Sequence, residues 1–305
     1  MKRLKYILLL MLIPLLIFPK VAISSAREGL DAWARNVLPS LFPFAIISSM
    51  ITALSSQGKA GKVLVRLSRL VKLPPSAMRS VCVGMVSGYP IGAMAVNQAW
   101  YNKQIRDEVV ALCAGIASVC SPMFLIATVG EGMLYNAGRG VMLLLMHYLA
   151  YVLTVVLFCI GRKRQDYEIQ PNEVVSSKSV GALLKLSVDK ASGAMISVCG
   201  YIVVFRVIMG IIGLLPISEA VEVVISVVLE MSVGCTLASR AVLPLAVRMA
   251  LISFAVAWGG ACVNLQINSY IAECNTKSAT TLCFKLVHGF IAGVISFAFW
   301  SVYGM

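Results

Sequence analysis

The sequence predicts an all-α polytopic membrane protein with about seven transmembrane helices and two re-entrant or broken hairpins in an inverted internal repeat. Three observations lead to this prediction: the composition, the recurrence of long apolar runs, and two polar breaks inside such runs. Hydrophobic residues make up 59% of the 305 residues and charged residues 13%, and the mean hydropathy is +0.89. These values exclude an ordinary soluble globular domain.

Apolar runs close to the length of a membrane-spanning helix recur along almost the whole chain. Continuous spans are predicted at residues 4–23, 36–55, 109–131, 140–160, 193–215, 243–268 and 280–303. Two further apolar segments, 78–100 and 218–239, are broken and are predicted to be re-entrant. The first run also fits a cleaved signal peptide. In a chain with many later spans, an uncleaved first helix is the preferred interpretation.

Two polar breaks are the most informative feature for function. The first is Ser87-Gly88-Tyr89-Pro90 and the second, about thirty residues later, is Ser118-Val119-Cys120-Ser121-Pro122. An unpaired backbone group in hydrocarbon costs several kcal/mol, so broken helices persist only where they face protein or a watery cavity. In transporters that cavity holds the substrate. The breaks therefore predict a binding site for a small molecule.

The net charge of +13 is distributed as in a membrane protein rather than a nucleic-acid-binding one. Basic residues crowd the loop 59–79 and the segment Arg162-Lys163-Arg164, as is typical of cytoplasmic loops beside anionic lipid. Residues 59–73 alternate basic and apolar positions, which predicts a helix on the membrane surface. The aromatic residues that single-strand binding requires are absent from this loop, and membrane lipids are the expected partners.

Similar segments recur at an offset of about 140 residues, which predicts a duplication. His147 pairs with His288, Cys120 with Cys262, and Ser87-Gly88 loosely with Ser232-Val233-Gly234. Both basic loops lie on the cytoplasmic side only if the segment 78–100 enters the membrane from the cytoplasm and returns to it. Each repeat then crosses the membrane three times, an odd number, so the second copy is inverted relative to the first. The predicted divisions are a first helix (1–28), a first repeat (29–161), a cytoplasmic linker (162–180) and a second repeat (181–305). The facing breaks are expected within hydrogen-bonding or ligand-spanning distance near the bilayer midplane.

Glu230 is the most prominent single candidate, because a carboxylate at membrane depth needs a cavity or a partner. It could bind a proton or cation, or accept hydrogen bonds from a substrate. The alternative is a structural carboxyl that accepts a backbone N–H near a helix end.

The remaining candidates lie at the breaks or at their repeat equivalents. At such a break, glycine permits the unusual backbone angles and proline stops the helix. The N–H groups that are freed at the start of the next helix attract anions, and serine and tyrosine hydroxyls add directional contacts. The full predicted substrate-binding set is Ser87, Gly88, Tyr89, Pro90, Ser118, Ser121, Glu230, Ser232, Gly234 and Asn264. For the serines, hydrogen bonds within the helices are the alternative. For His147 and His288, helix packing is favoured over a proton relay.

Catalytic and metal-binding patterns are missing from the sequence. The nine cysteines form no CxxC pair, so neither a disulfide framework nor a metal site is expected. The motifs of zinc hydrolases, α/β-hydrolases, P-loop proteins and dinucleotide-binding proteins are also absent. We therefore expect neither an enzyme nor a cofactor.

Several motifs together resemble the sporulation integral membrane protein YlbJ family. They are Leu38-Pro39-Ser40-Leu41-Phe42-Pro43-Phe44, Ser87-Gly88-Tyr89-Pro90-Ile91-Gly92-Ala93, Cys120-Ser121-Pro122-Met123-Phe124 and Thr128-Val129-Gly130. That family is grouped with the nucleoside recognition or Gate-domain membrane proteins. The resemblance implies a multi-pass protein of a bacterial cell membrane, in the forespore or mother cell, with a role in moving dipicolinic acid.

The first functional hypothesis is thus a secondary transporter of a small organic anion resembling dipicolinate, with a coupling proton or cation. A non-transporting scaffold or assembly factor for spore formation and a nucleoside-type transporter are the alternatives. A scaffold would tolerate apolar replacement of Glu230, whereas a transporter would not.

Overall fold

A computed structural model describes Tyr6 and residues 12–55, 61–162 and 179–304. The predicted span 4–23 falls largely outside the described residues, and so does most of the linker predicted at 162–180. The described part of the chain is all-helical, without strands, in agreement with the predicted fold class.

Thirteen α-helices and two π-helical segments follow one another along the described residues. The first-half helices are α1 (Pro19–Ala32), α2 (Leu38–Ser55), α3 (Lys62–Leu70), α4 (Pro75–Ser87), α5 (Ile91–Tyr101), α6 (Asp107–Ala117) and α7 (Ala137–Cys159). The π-helical segments are Trp33–Val37, between α1 and α2, and Phe124–Met133, between α6 and α7. The second-half helices are α8 (Val180–Ile212), α9 (Glu219–Leu229), α10 (Met231–Arg240), α11 (Leu245–Trp258), α12 (Gly260–Tyr270) and α13 (Ser278–Tyr303).

Local sequence explains where many of these helices begin. Asn136 and Ser179 cap α7 and α8, because their side chains accept the N–H groups of Arg139 and Ala182 at 3.0 Å and 3.3 Å. Each such bond satisfies an N–H that has no partner within the helix. α4 begins with Pro75, whose missing N–H costs nothing at a first helical position.

The helices differ in how deeply they lie in the molecule. α6 is buried on every side from Val109 to Ala117, so it forms the centre. It is surrounded by α4, α5 and α13, and α13 also packs on α7 and α11. The outer faces of α7 and α13 expose apolar side chains such as Leu145, Val156 and Phe290. Large apolar surfaces of this kind are suited to lipid rather than to water.

Four helical segments of the described residues are long and apolar enough to cross a membrane: Ala137–Cys159, Val180–Ile212, Leu245–Tyr270 and Ser278–Tyr303. A fifth is counted if Pro19–Val37 and Leu41–Ile51, bent by 56° at their junction, form one span. The structure therefore supports a polytopic all-α protein, but the predicted count of seven is not confirmed. One reason is that the span predicted at 109–131 is divided into two short helical segments.

Several predicted segments correspond closely to the structure. Segments 78–100 and 218–239 are helical hairpins, α4–α5 and α9–α10, broken near Gly88 and at Glu230. The amphipathic stretch predicted at 59–73 is helical as α3, whose Val63 and Leu70 are exposed. One boundary was wrong, because α8 begins at Val180, well before residue 193. Ser179 caps the helix there, and the polar first turns of α8 continue directly into the apolar run.

Candidate functional site

The first-half breaks lie against each other. After α4 the chain turns at Gly88 (φ +81°), and the N–H of Tyr89 donates to the Val119 carbonyl in the second break at 2.9 Å. A Cβ atom on Gly88 would lie 2.8 Å from Cβ of Ser121. Only glycine combines this φ with such a close approach, which explains why the break contains it.

The second-half breaks approach each other in the same way. Gly260 (φ +73°) lies at the junction of α11 and α12. A Cβ atom on Gly260 would lie 2.8 Å from the Leu229 carbonyl oxygen and 3.1 Å from the N atom of Glu230. Each hairpin break therefore packs on the break of the following helix pair in its own half.

The two hairpin breaks are also in contact across the halves. The Tyr89 hydroxyl contacts the sulfur of Met231, the first residue of α10. It also donates to the Val256 carbonyl of α11 at 3.3 Å. A tyrosine at the first break thus joins the first half directly to the second.

A partly open cavity of about 80 Å³ lies where these breaks meet. Five of the ten predicted site residues line it: Tyr89, Pro90, Ser121, Glu230 and Ser232. The other five, Ser87, Gly88, Ser118, Gly234 and Asn264, are not among its lining residues. The described lining residues include one carboxylate and no lysine, arginine or histidine.

Glu230 has the structural contacts of one alternative and also faces the cavity. It is 4% exposed and lines the cavity, but its carboxylate also caps α10. The two oxygens accept the Ser232 N–H at 3.2 Å, the Ser232 hydroxyl at 2.7 Å and the Val233 N–H at 2.8 Å. A carboxylate at a helix N-terminus is stabilised by the helix dipole as well. Its negative charge is therefore partly compensated before any ligand enters.

The predicted residues that do not line the cavity have structural contacts instead. The Asn264 amide donates to the carbonyls of Trp258 and Gly260 at 2.9 Å and 2.8 Å, so it satisfies acceptors at the α11–α12 break. The Ser87 hydroxyl is 2.7 Å from that of Ser48. A Cβ on Gly234 would lie 2.6 Å from the Cα of Val227, so this glycine allows α9 and α10 to pack closely.

His147 and His288, equivalent in the predicted repeat, are buried beside each other with ring centroids 4.8 Å apart. Nε2 of His147 accepts the Cys120 N–H of the second break at 3.3 Å. Nε2 of His288 is 3.3 Å from the His147 carbonyl oxygen. Both rings therefore stabilise helix packing and a broken backbone, the role that the sequence favoured for them.

Sequence reasoning missed several residues of the site. Gln266 is 4% exposed and lines the cavity; an amide inside the predicted span 243–268 was the available signal. Phe124, Val198 and Ile202 contribute apolar lining and could not be distinguished from ordinary core residues. The most consequential omission is Lys285, to which the rule applied to Glu230, a charge at membrane depth, applies equally.

Comparisons with known proteins agree with the resemblance found in the motifs. The chain is 21% identical over 320 residues to the sporulation integral membrane protein YlbJ of Bacillus subtilis (strain 168). That alignment covers 93% of this chain and 78% of the relative. No protein-family model matches the chain, and no solved structure matches it. The match confirms the resemblance to YlbJ and, with the apolar helices, supports a multi-pass membrane protein.

Proposed function

We propose that this protein is a secondary transporter of a small organic anion in spore formation, and that the cavity between the breaks is its substrate site. One observation carries the proposal: broken helices from both halves of the chain converge on a single cavity. Tyr89 and Ser121 come from the first half, and Glu230 and Cys262 from the second. Discontinuous helices that meet around a cavity are typical of substrate sites in secondary transporters. The name of the relative supports spore formation as the setting.

An inverted repeat is part of the proposal, and two contacts support it, one between the paired histidines and one between residues at the offset of Cys120 and Cys262. Tyr89 touches Met231, 142 residues later, and His147 touches His288, 141 residues later. Equivalent residues of two copies touch each other when they lie beside a two-fold axis. The charged loops favour an axis in the membrane plane.

The helix ends also refine the alignment of the two proposed copies. Tyr89 lies within the first hairpin break, two residues before α5, and Met231 directly follows the second break at Glu230. Ser232 and Gly234 lie inside α10, so in the alignment proposed here they are not paired with Ser87 and Gly88. The proposed alignment therefore uses the offset of 142 residues that separates Tyr89 from Met231.

The anionic character of the substrate follows from the charges that remain available at the cavity. The carboxylate of Glu230 is engaged by three donors at the start of α10. The start of α5 at Pro90 and of the helical segment after Ser121 face the same cavity with their positive dipole ends. Behind Tyr89 lies the cation of Lys285. Dipicolinate, a small planar dianion, fits this chemical class.

A nucleoside-type substrate is the second candidate, and a different observation favours it. Glu230 and Gln266 line the cavity together with the ring of Phe124, and the described lining includes no basic side chain. Such a surface can accept hydrogen bonds from hydroxyls and stack on a planar base.

Uptake into proteoliposomes tests the proposal and separates these candidates. Purified protein should concentrate labelled dipicolinate, and unlabelled dipicolinate should compete better than uridine. Ser232→Phe, which fills the cavity, should abolish uptake, whereas Ser301→Phe on the exposed face of α13 should not. Preferential uptake of uridine would favour the nucleoside-type candidate. If intact wild-type protein moves neither solute but restores spore formation in cells that lack it, a scaffold replaces the transporter.

A further inference from the structure

Lys285 is a lysine in the middle of the protein without exposure to solvent. It lies on α13, is 0% exposed, and donates from Nζ to the Ser118 carbonyl oxygen at 2.7 Å. Nζ also lies 4.9 Å from the ring centroid of Tyr89. The amino group thus contacts both first-half breaks at once, although it belongs to the last helix of the second half.

No carboxylate of the described residues forms an ion pair with Lys285. The first-half breaks and the helices around Lys285 carry these titratable or charged groups: Tyr89 and Cys120 at the breaks; Arg139, His147, Tyr148, Tyr151 and Cys159 on α7; Cys283, His288 and Tyr303 on α13 itself; Cys113 on α6; Cys262 and Tyr270 on α12; and Arg248 on α11. The Arg248 guanidinium donates to the Ser239 carbonyl. α6 also carries Asp107 and Glu108, but in its first turn, at the opposite end from Ser118.

A buried cation without an anionic partner is costly, and lysine can remove that cost by releasing a proton, whereas arginine cannot. At a broken transmembrane helix, the freed carbonyls are where transporters hold a coupling cation. Here the freed carbonyl of Ser118 is already bound by Nζ of Lys285. The amino group therefore stands where an external cation would bind.

We propose that Lys285 is the proton-binding site that couples anion transport to a proton gradient. The inference rests on the proposed function and adds to it a coupling ion, the proton, and the residue that carries it. Because the lysine already contacts the carbonyl of the break, transport should not require sodium.

Tyr89 connects this site to the cavity. It lines the cavity and its ring also contacts Nζ of Lys285. When the amine takes up a proton, a new N–H bond forms and a positive charge lies behind the cavity wall, which favours entry of an anion. By linkage, a bound anion favours the protonated amine to the same extent. When the anion leaves, the ammonium releases its proton to the same compartment. The protein then returns to its starting state with a neutral amine and no bound anion.

The coupling can be measured on proteoliposomes with labelled dipicolinate as the probe and a trapped pH dye. In the wild type, an inward proton gradient should raise dipicolinate accumulation by about tenfold or more, and the dye should report proton entry with the anion. A sodium gradient should have no effect. Lys285→Met should lose the accumulation driven by the gradient. Lys277→Met, which removes an exposed lysine just before α13, should keep it.

Lys285→Arg separates charge from proton exchange. It should still exchange dipicolinate across the membrane, but the KM of that exchange should no longer depend on pH. Proton-driven accumulation that persists in Lys285→Met, or accumulation driven by sodium in the wild type, overturns the inference while the proposed function stands. Absence of both uptake and exchange in the wild type overturns the proposed function itself.

A measurement on the wild type alone covers the case in which the Lys285 variants do not fold. Calorimetric titration of dipicolinate in two buffers with different heats of ionisation reports the protons taken up on binding. Uptake of a fraction of a proton that varies between pH 6 and 9 is expected. Binding without proton uptake across that range overturns the inference.

Discussion

The breaks of the two halves have similar shapes, but different groups stabilise them. In the first half, the carbonyl of Ser118 accepts from Lys285 of α13, and the N–H of Cys120 is bound by His147 of α7. In the second half, Glu230 caps the helix that follows it, and Asn264 binds two carbonyls of its own helix pair. The first-half breaks thus depend on basic side chains of the long helices, whereas the second-half breaks are stabilised locally.

From this difference we expect the first-half breaks to respond to pH and the second-half breaks to stay the same during transport. The amino group of Lys285 can gain or lose a proton in the proposed coupling, so its hydrogen bond to the first-half break can respond to pH. In the second half, Glu230 and Asn264 bind groups of their own helix pairs, so we expect this half to form a constant wall of the cavity. Substitutions in the second-half breaks should therefore affect stability first, except where a side chain faces the cavity.

The largest effect on stability is expected for Gly260→Ala. The residue has a positive φ, and its new Cβ would lie 2.8 Å from the Leu229 carbonyl oxygen. The left-handed conformation alone costs about 1–2 kcal/mol for a residue other than glycine, and the backbone contact adds to it. Thermal unfolding of the purified protein in detergent, followed by tryptophan fluorescence, should show a clearly lowered Tm.

Gly200→Ala is the matched control. It lies within α8 with no atom within 4 Å of the added Cβ, so the Tm should stay the same or rise slightly, as alanine favours helices. Equal Tm values for the two variants would show that the second-half breaks do not need their close approach.

The next largest effect is expected for Asn264→Ala. Its amide donates two hydrogen bonds to carbonyls at the α11–α12 break, and leaving a buried acceptor unpaired costs about 1–3 kcal/mol. Stability should fall, while the KM for the transported solute should change little in the protein that remains folded. Gln266→Leu, two residues later but lining the cavity, should do the reverse and raise the KM with little change in Tm. A KM effect at Asn264 without loss of stability would return this residue to the substrate site.

Glu230→Gln should have an effect whose sign depends on the substrate. Loss of the carboxylate weakens the α10 cap by about 1 kcal/mol and removes a negative charge from the cavity. The KM should fall for dipicolinate, because repulsion is relieved, and should rise for uridine, because a strong acceptor is lost. Competition uptake with both solutes measures the two changes on the same preparation. A higher KM for dipicolinate would contradict the anion assignment.

The two helical hairpins and three of the breaks could be predicted because glycine, proline and charged residues are rare inside apolar runs and have specific physical reasons to be there. Gly88 and Glu230 are examples, and each lies at a break in the structure. The fourth break, at Gly260, was not predicted, because it lies inside the span 243–268 that was expected to be continuous. Which predicted polar groups face the cavity could not be predicted. Asn264 and Gln266 lie two residues apart on one helix, and only packing decides that the first binds carbonyls and the second lines the cavity. Lys285 could have been singled out as a charge inside the predicted span 280–303, but its contact with Ser118, 167 positions earlier, has no signal in a single sequence.

The smallest effects are expected at Ser121 and Ser118, two serines of the second break. The first hydroxyl lines the cavity and the second does not, so the pair tests the importance of that position. The Ser121 hydroxyl lines the cavity and accepts the Phe124 N–H at 3.3 Å, so Ser121→Ala should cost about 0.5–1 kcal/mol of stability and raise the KM slightly. Within the described residues the Ser118 hydroxyl has no hydrogen-bond partner, and Lys285 binds the Ser118 carbonyl rather than its side chain. Ser118→Ala should therefore leave both the Tm and the pH dependence of uptake unchanged. A shift in that pH dependence would mean that the hydroxyl, as well as the carbonyl, contacts the lysine during transport.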